Sequence, residues 1–159
     1  MVEEPIHGKR IDLNNNSVAW WPCHIGKDTT IGEHVSIGAL AHIGRNVTIG
    51  GNSRIQGSVY IADKTMIAEN VFIGPSVVVL NDKYPPSGNA ELWQPVVIEK
   101  YAVIGGNSTI LPGVKIGENA VIGAGATVTT SIPSNEVWIG NPASFHMTRE
   151  EYEQRRIHD

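Results

Sequence analysis

Ile25-Gly26-Lys27-Asp28-Thr29-Thr30, Ile31-Gly32-Glu33-His34-Val35-Ser36 and Ile37-Gly38-Ala39-Leu40-Ala41-His42 are one six-residue pattern written three times. Outward from this stretch, the aliphatic position recurs six apart at Ile43, Ile49, Ile55, Ile61, Ile67, Ile73 and Val79. After a break it returns at Ile98, Ile104, Ile110, Ile116, Ile122 and Val128. A small residue often follows it, as at Gly44, Gly50, Gly105, Gly117 and Gly123, and Thr, Ser, Ala or Val stands four positions after it. Neither a helical period nor plain alternation produces this beat. An even period lets short extended segments keep one face inward, and the small residue is expected to let the chain turn at each corner.

Three hexads then close a triangular coil of 18 residues. A single hexad would be only a hydrophobic strand, but sixteen in phase specify a stack. Stacked coils place Ile25, Ile43, Ile61 and Val79 in one ladder, Ile31, Ile49 and Ile67 in a second, and Ile37, Ile55 and Ile73 in a third. Successive rungs lie about 4.8 Å apart. The fold class is all-β, a parallel β-helix. Its hand does not follow from the pattern, since parallel crossovers are generally right-handed.

At 159 residues the chain fits one domain with a continuous core. We divide it into a cap (1–19), coils (20–79), a protruding loop (80–95), further coils (96–143) and a C-terminal helical segment (144–159). Leu13 and Ala19 sit only weakly in phase with the repeat. The loop carries three prolines and no hexad. The 19 residues from Val79 to Ile98 fit either one irregular coil or about 13 extruded residues, and extrusion is favoured because Pro85 and Glu91 are poor core occupants. A long excursion from a rigid scaffold is a functional candidate. After Val128 the spacing breaks at Ile132-Pro133, and Ile139-Gly140-Asn141-Pro142-Ala143 reads as a final dephased strand. Thr148-Arg149-Glu150-Glu151 is a capping box opening a polar helix over about 148–157. That helix would cover the open end of the coils, or offer Arg149, Arg155 or Arg156 to a cofactor phosphate.

A net charge of −4, with no basic run interleaved with aromatics, argues against a nucleic-acid partner. No signal peptide or bilayer-length apolar stretch is visible, which points to the cytoplasm and no membrane partner. The lone Cys23 has no internal disulfide partner and is expected to pack inward.

Asn81-Asp82-Lys83-Tyr84-Pro85, followed by Trp93 and Pro95, resembles the signature loop of bacterial and archaeal nucleotide-amino-sugar N-acetyltransferases, which act on 3-amino-3-deoxy sugars attached to UDP or dTDP. Trp20-Trp21-Pro22-Cys23-His24-Ile25 is similar to that family's Trp-His-Phe-Cys-His-Ile stretch, departing at Trp21 and Pro22. Ile55-Gln56, the run Ile122 to Val128, and Gly140-Asn141-Pro142-Ala143 also fit, so the resemblance covers roughly residues 20–145. It implies a left-handed β-helix, a homotrimer with sites between neighbouring β-helices, and acetyl-CoA along the second block of coils, with no metal. It further implies that Asn81 and Asp82 hold the amino sugar while Tyr84, Pro85 and Trp93 shape its pocket. Gly105, Gly123 and Ala124 would meet the pantetheine arm, and Asn141-Pro142 the adenine end. Many relatives place Lys or Arg after the Val-Thr pair near a coenzyme phosphate, where this chain has Thr130.

Independently of the resemblance, His24 and His42 stand 18 residues apart, each just before a core Ile. They should stack outward on adjacent coils about 5 Å apart, with Tyr60 continuing the ladder. Either could accept an amine's proton or hold a substrate oxygen, and His24 is the stronger catalytic candidate. The departing thiolate could instead take the proton. A γ-class carbonic anhydrase on the same scaffold would need three imidazoles around zinc, and the His-x4-His spacing is absent. A non-catalytic scaffold is a further alternative. A hexapeptide O-acetyltransferase would need a base near its hydroxyl acceptor, and residues 80–95 contain no His.

Overall fold

The computed structural model describes residues 8–158, leaving residues 1–7 of the expected cap and residue 159 outside the described part. It is a parallel β-helix of two-residue strands, each ending on the aliphatic position of its hexad, as at His24–Ile25, Thr30–Ile31 and Ser36–Ile37. Each strand pairs in parallel with the one three hexads on, which gives three sheets. The first face carries Ala19, Ile37, Ile55, Ile73, Ile104 and Ile122 inward. The second carries Ile25, Ile43, Ile61, Val79, Ile110 and Val128. The third carries Ile31, Ile49, Ile67, Ile98 and Ile116.

Nearly all of these side chains are inaccessible to solvent and form one continuous cluster. Each buried Ile stabilises the fold by roughly 1.5–3 kcal/mol. The position four after it is also buried, and where it is polar the hydroxyl is engaged. Ser53 donates to the Ala68 carbonyl and accepts the Val71 N–H.

The corner differs from the expectation. The residue that turns the chain lies three after the aliphatic position, in the left-handed region, at Asp28, His34, Leu40, Asn46, Asn52 and onward. The small residue just after the Ile serves close approach instead. A Cβ built on Gly32 would stand 2.6 Å from the Gly51 nitrogen of the next coil.

The other departures concern the two ends, whereas the break is the extruded loop that the sequence favours. The repeat begins earlier than residue 20: Ala19 is in register with Ile37, and Val18–Trp21 pairs antiparallel with Lys9–Asp12. The break is an extruded loop, because Ile67 pairs with Ile98, 31 residues on and 13 more than one coil. At the far end Val128 is followed by Ile132, two residues short of a hexad, and the beat then resumes. Ile132 bridges to Ile116, and Trp138 rather than Ile139 is in register with Ile122. The strand Glu136–Gly140 then turns into Ala143–Thr148, which stands where the helical segment was expected to start. α1 follows at Arg149–His158, with Thr148 and Glu151 exchanging the hydrogen bonds of a capping box.

Candidate active site

The loop leaves and rejoins the β-helix through a closed neck. In the regular coils, the N–H three residues after the aliphatic position donates to the carbonyl one coil below, as Lys64 does to Arg45. At the break the Asn81 side chain takes over that duty, its Nδ2 donating to the Asp63 carbonyl at 3.3 Å. Gln94 closes the neck, its N–H donating to the Asn81 carbonyl at 2.7 Å while its own carbonyl accepts the Gly113 N–H. Asn81 Oδ1 has no partner among the described residues.

Beyond the neck, Asp82 is spent on the loop itself. Its carboxylate accepts the Ser87 N–H at 2.9 Å and the Tyr84 N–H at 3.3 Å. The Ser87 N–H above all holds this carboxyl below the usual range, so it is ionised at neutral pH. Tyr84 is 77% exposed, and Trp93 is half-buried beyond a short 3-10 turn, Ala90–Leu92. Asp82 and Pro85 line a small cavity of about 250 Å³ with Leu111 and Pro112.

The second face presents His24, His42 and Tyr60 as an outward stack. The two imidazole centroids lie 4.6 Å apart, and the Tyr60 ring continues at 5.0 Å. Partial burial, then the neighbouring His24, push the His42 imidazole below its ordinary value, with Asp63 pulling the other way. His42 is therefore neutral at pH 7 and able to accept a proton. Near-parallel rings direct their in-plane lone pairs side by side rather than at one point, a poor geometry for a shared zinc. Among the described residues no cluster of three or more His, Cys, Asp or Glu could hold a metal ion.

Between this stack and the neck sits an ion pair. Asp63 accepts the Arg45 N–H at 2.8 Å and pairs with its guanidinium at 2.7 Å. Burial pushes the Asp63 carboxyl up, but these Arg45 bonds outweigh it and leave the carboxyl below the usual range. Arg45, Asp63 and Asn81 are spaced 18 apart, so the arithmetic that found the histidines would also have found this column.

The residues expected to hold the coenzyme gather elsewhere. Gly105, Gly123 and Ala124 line a groove of about 560 Å³ on the first face, along with Arg155 and Arg156 of α1. The missing side chain of Gly123 makes room for Ile139, whose Cγ2 would lie 2.6 Å from a Cβ there. Asn141-Pro142 forms the turn between the last two strands. The loop lies where the second face meets the third and the groove where the first meets the second, so within one chain no cavity joins them among the described residues.

Residues 95–130 match the family described as bacterial transferase hexapeptide (six repeats). Residues 22–62 and 40–75 match the hexapeptide repeat of succinyl-transferase. A maltose O-acetyltransferase from Clostridium difficile 630 is 31% identical, with 79% of this chain aligned to 68% of that one and a TM-score of 0.60. The chain belongs to the hexapeptide-repeat acyltransferases.

Two further solved structures superpose on the chain with higher TM-scores and share its fold. AntD, an N-acyltransferase from Bacillus cereus solved with dTDP and 3-hydroxybutyryl-CoA, has a TM-score of 0.76 at 22% identity, over 89% of this chain and 85% of that one. A variant of AntD has been solved with dTDP-4-amino-4,6-dideoxyglucose and coenzyme A. PerB from Caulobacter crescentus, in complex with CoA and GDP-perosamine, gives 0.65 at 20% identity, and 82% of this chain spans 56% of PerB. At these identities AntD and PerB share the left-handed β-helical fold with the acyltransferase described here. No curated protein sequence matches the chain. Among its described residues no helix is long and apolar enough to cross a membrane.

Proposed function

We propose that the enzyme moves an acetyl group from acetyl-CoA to the amine of a nucleotide-linked amino sugar, a 3-amino sugar on UDP or dTDP, and works as a homotrimer in the cytoplasm. The observation that carries this is the neck of the loop. Asn81 is fixed through Nδ2 on Asp63 and through its own carbonyl on Gln94, which leaves Oδ1 to accept an N–H from an acceptor amine. AntD and PerB, which share the fold, were each solved with a nucleotide sugar and a coenzyme, and this supports the substrate class. The separation of loop and groove within one chain supports the trimer, since a neighbour's corner would complete each site.

In the reaction the neutral amine attacks the thioester carbonyl, a C–N bond forms, and the oxygen takes the charge. Backbone N–H groups on the coil edge supply donors to it. The C–S bond then breaks, and the amine's proton passes to the imidazole of His24 or His42, or to the thiolate. Asp82, already ionised and committed to Ser87 and Tyr84, orders the loop and adds negative charge beside the amine rather than acting as a base.

The maltose O-acetyltransferase neighbour favours a second reading, acetyl transfer to a sugar hydroxyl. Thiol release measured across UDP- and dTDP-linked amino sugars, their hydroxyl counterparts and maltose separates the two. Turnover with the amino sugars alone is expected, and Asn81→Ala lowers kcat/KM about a hundredfold without unfolding the protein, the lost contact with Asp63 costing only about 1 kcal/mol of stability. Turnover with maltose alone overturns the amine reading, and an unimpaired Asn81→Ala removes that residue from the site.

A further inference from the structure

The groove on the first face joins an apolar floor to a basic rim. Its floor is apolar, built from the outward Val103, Val121 and Val137 with Met147 and Tyr152, most of which form a cluster separate from the main core. Its rim is basic: Arg155 and Arg156 line it with His146 beside them, and no carboxylate does. The net charge of the chain is −4, so this concentration of positive groups runs against the average surface.

The local carboxylates neutralise the rim only in part. Arg156 pairs with Glu153 at 3.1 Å, but Glu153 also takes Arg149 at 2.6 Å, so one negative charge is shared by two guanidiniums. Glu151 is hydrogen-bonded to the helix start, accepting from the Thr148 N–H and hydroxyl, and feels Arg155 only through space, as the last and smallest of the influences on its carboxyl. Arg155 forms no ion pair among the described residues. The corner that could have carried a cation on the coils, Thr129-Thr130, is uncharged.

An apolar trough ending in guanidiniums fits a ligand with a long, weakly polar arm and a phosphorylated end. Gly123 and Ala124 edge the same groove, so an arm lying along them would reach α1 at its far end. We propose that Arg155 and Arg156, with His146 beside them, hold the phosphates of the acyl-CoA, which makes α1 part of the coenzyme site as well as the cover of the last coil. The assignment rests on the acyl-CoA reading above. It puts specificity for a phosphorylated donor on the C-terminal helix rather than on the coils.

The test is calorimetric titration of the full chain with coenzyme A, at roughly 50 mM and roughly 0.5 M salt, where screening of an exposed ion pair differs strongly. Arg155→Gln/Arg156→Gln is expected to bind coenzyme A about tenfold more weakly at low salt, with the difference from the parent shrinking at high salt. Arg155→Lys/Arg156→Lys should recover most of the loss, because charge is kept while the planar fork is not. Both positions are exposed, so neither variant should disturb folding. If the parent binds coenzyme A and the double Gln variant binds it equally well, the assignment fails and the acyl-CoA reading stands. A loss that salt does not change would mark a structural effect of the substitutions and also overturns it. If the parent binds no coenzyme A, both fall together.

Discussion

The imidazole of His42 is squeezed between two rings and lies near a carboxylate, and the balance of these neighbours decides its protonation. Burial and His24 lower its pKa while Asp63 raises it, with the net direction downward from 6.5. Between the lowered value and 6.5 the unfolded chain binds more protons than the folded one, so this group costs stability as pH falls through that window. Asp63 behaves oppositely to a buried, unpaired acid: its stabilisation is present above pH 3.8 and is lost only as pH drops through its lower folded value. An NMR titration should show His42 protonating below 6.5, and His24→Phe should raise it by removing a like charge while keeping a stacked ring. A His42 that titrates at or above 6.5, or ignores His24→Phe, would sink this account. The stack itself was legible as an 18-residue spacing. The left-handed corner residue was not, because Leu40, Lys64 and Tyr101 occupy it at φ of 62°, 65° and 60°, where Asn or Gly would have signalled the turn.

Among the elements, α1 depends most on a local signal. It has ten residues and buries none of them fully, so packing alone does not hold it, and an isolated helix of that length is marginal in water. What fixes its first turn is the Thr148–Glu151 capping box, the Arg149 N–H on the Asn135 carbonyl and the Arg149 guanidinium on the Asn119 carbonyl at 3.0 Å. Thr148→Ala should fray this turn, speeding amide exchange in α1 about fivefold while the coils keep their protection. Equal protection in α1 would show that its contacts with the last strands suffice. The capping box could be read from four residues because its chemistry is local. The strand Ala143–Thr148 before it could not, since it is defined by antiparallel pairing to Glu136–Gly140 and has no hexad of its own. Trp138 escaped for a related reason: two residues are missing between Val128 and Ile132, so counting sixes from Val128 points past it.

At the scale of the whole molecule, the coils form a one-dimensional stack in which each turn contacts only its neighbours, and such a stack tolerates an insertion wherever register is kept on both sides. The loop meets that condition, since Val79 pairs back with Ile61 and forward with Ile110. Register also dictates how to remove it. Deleting Lys83–Pro95 takes out 13 residues and joins Val79-Leu80-Asn81-Asp82 to Val96-Val97-Ile98, a complete hexad. Asp82 then falls on the left-handed corner position, which Asp28 already occupies at φ 61°, and Val96 keeps its buried place four after the aliphatic residue. The shortened chain should fold with a melting temperature at or above the parent's, because a long closure is no longer needed. It should also still bind coenzyme A, whose proposed groove on the first face is untouched, yet fail to transfer an acyl group to any amino sugar. Full transferase activity in that variant would separate the loop from acceptor recognition. Collapse of the fold would instead mean that the neck formed by Asn81 and Gln94, and not the repeat alone, holds the two blocks of coils in register.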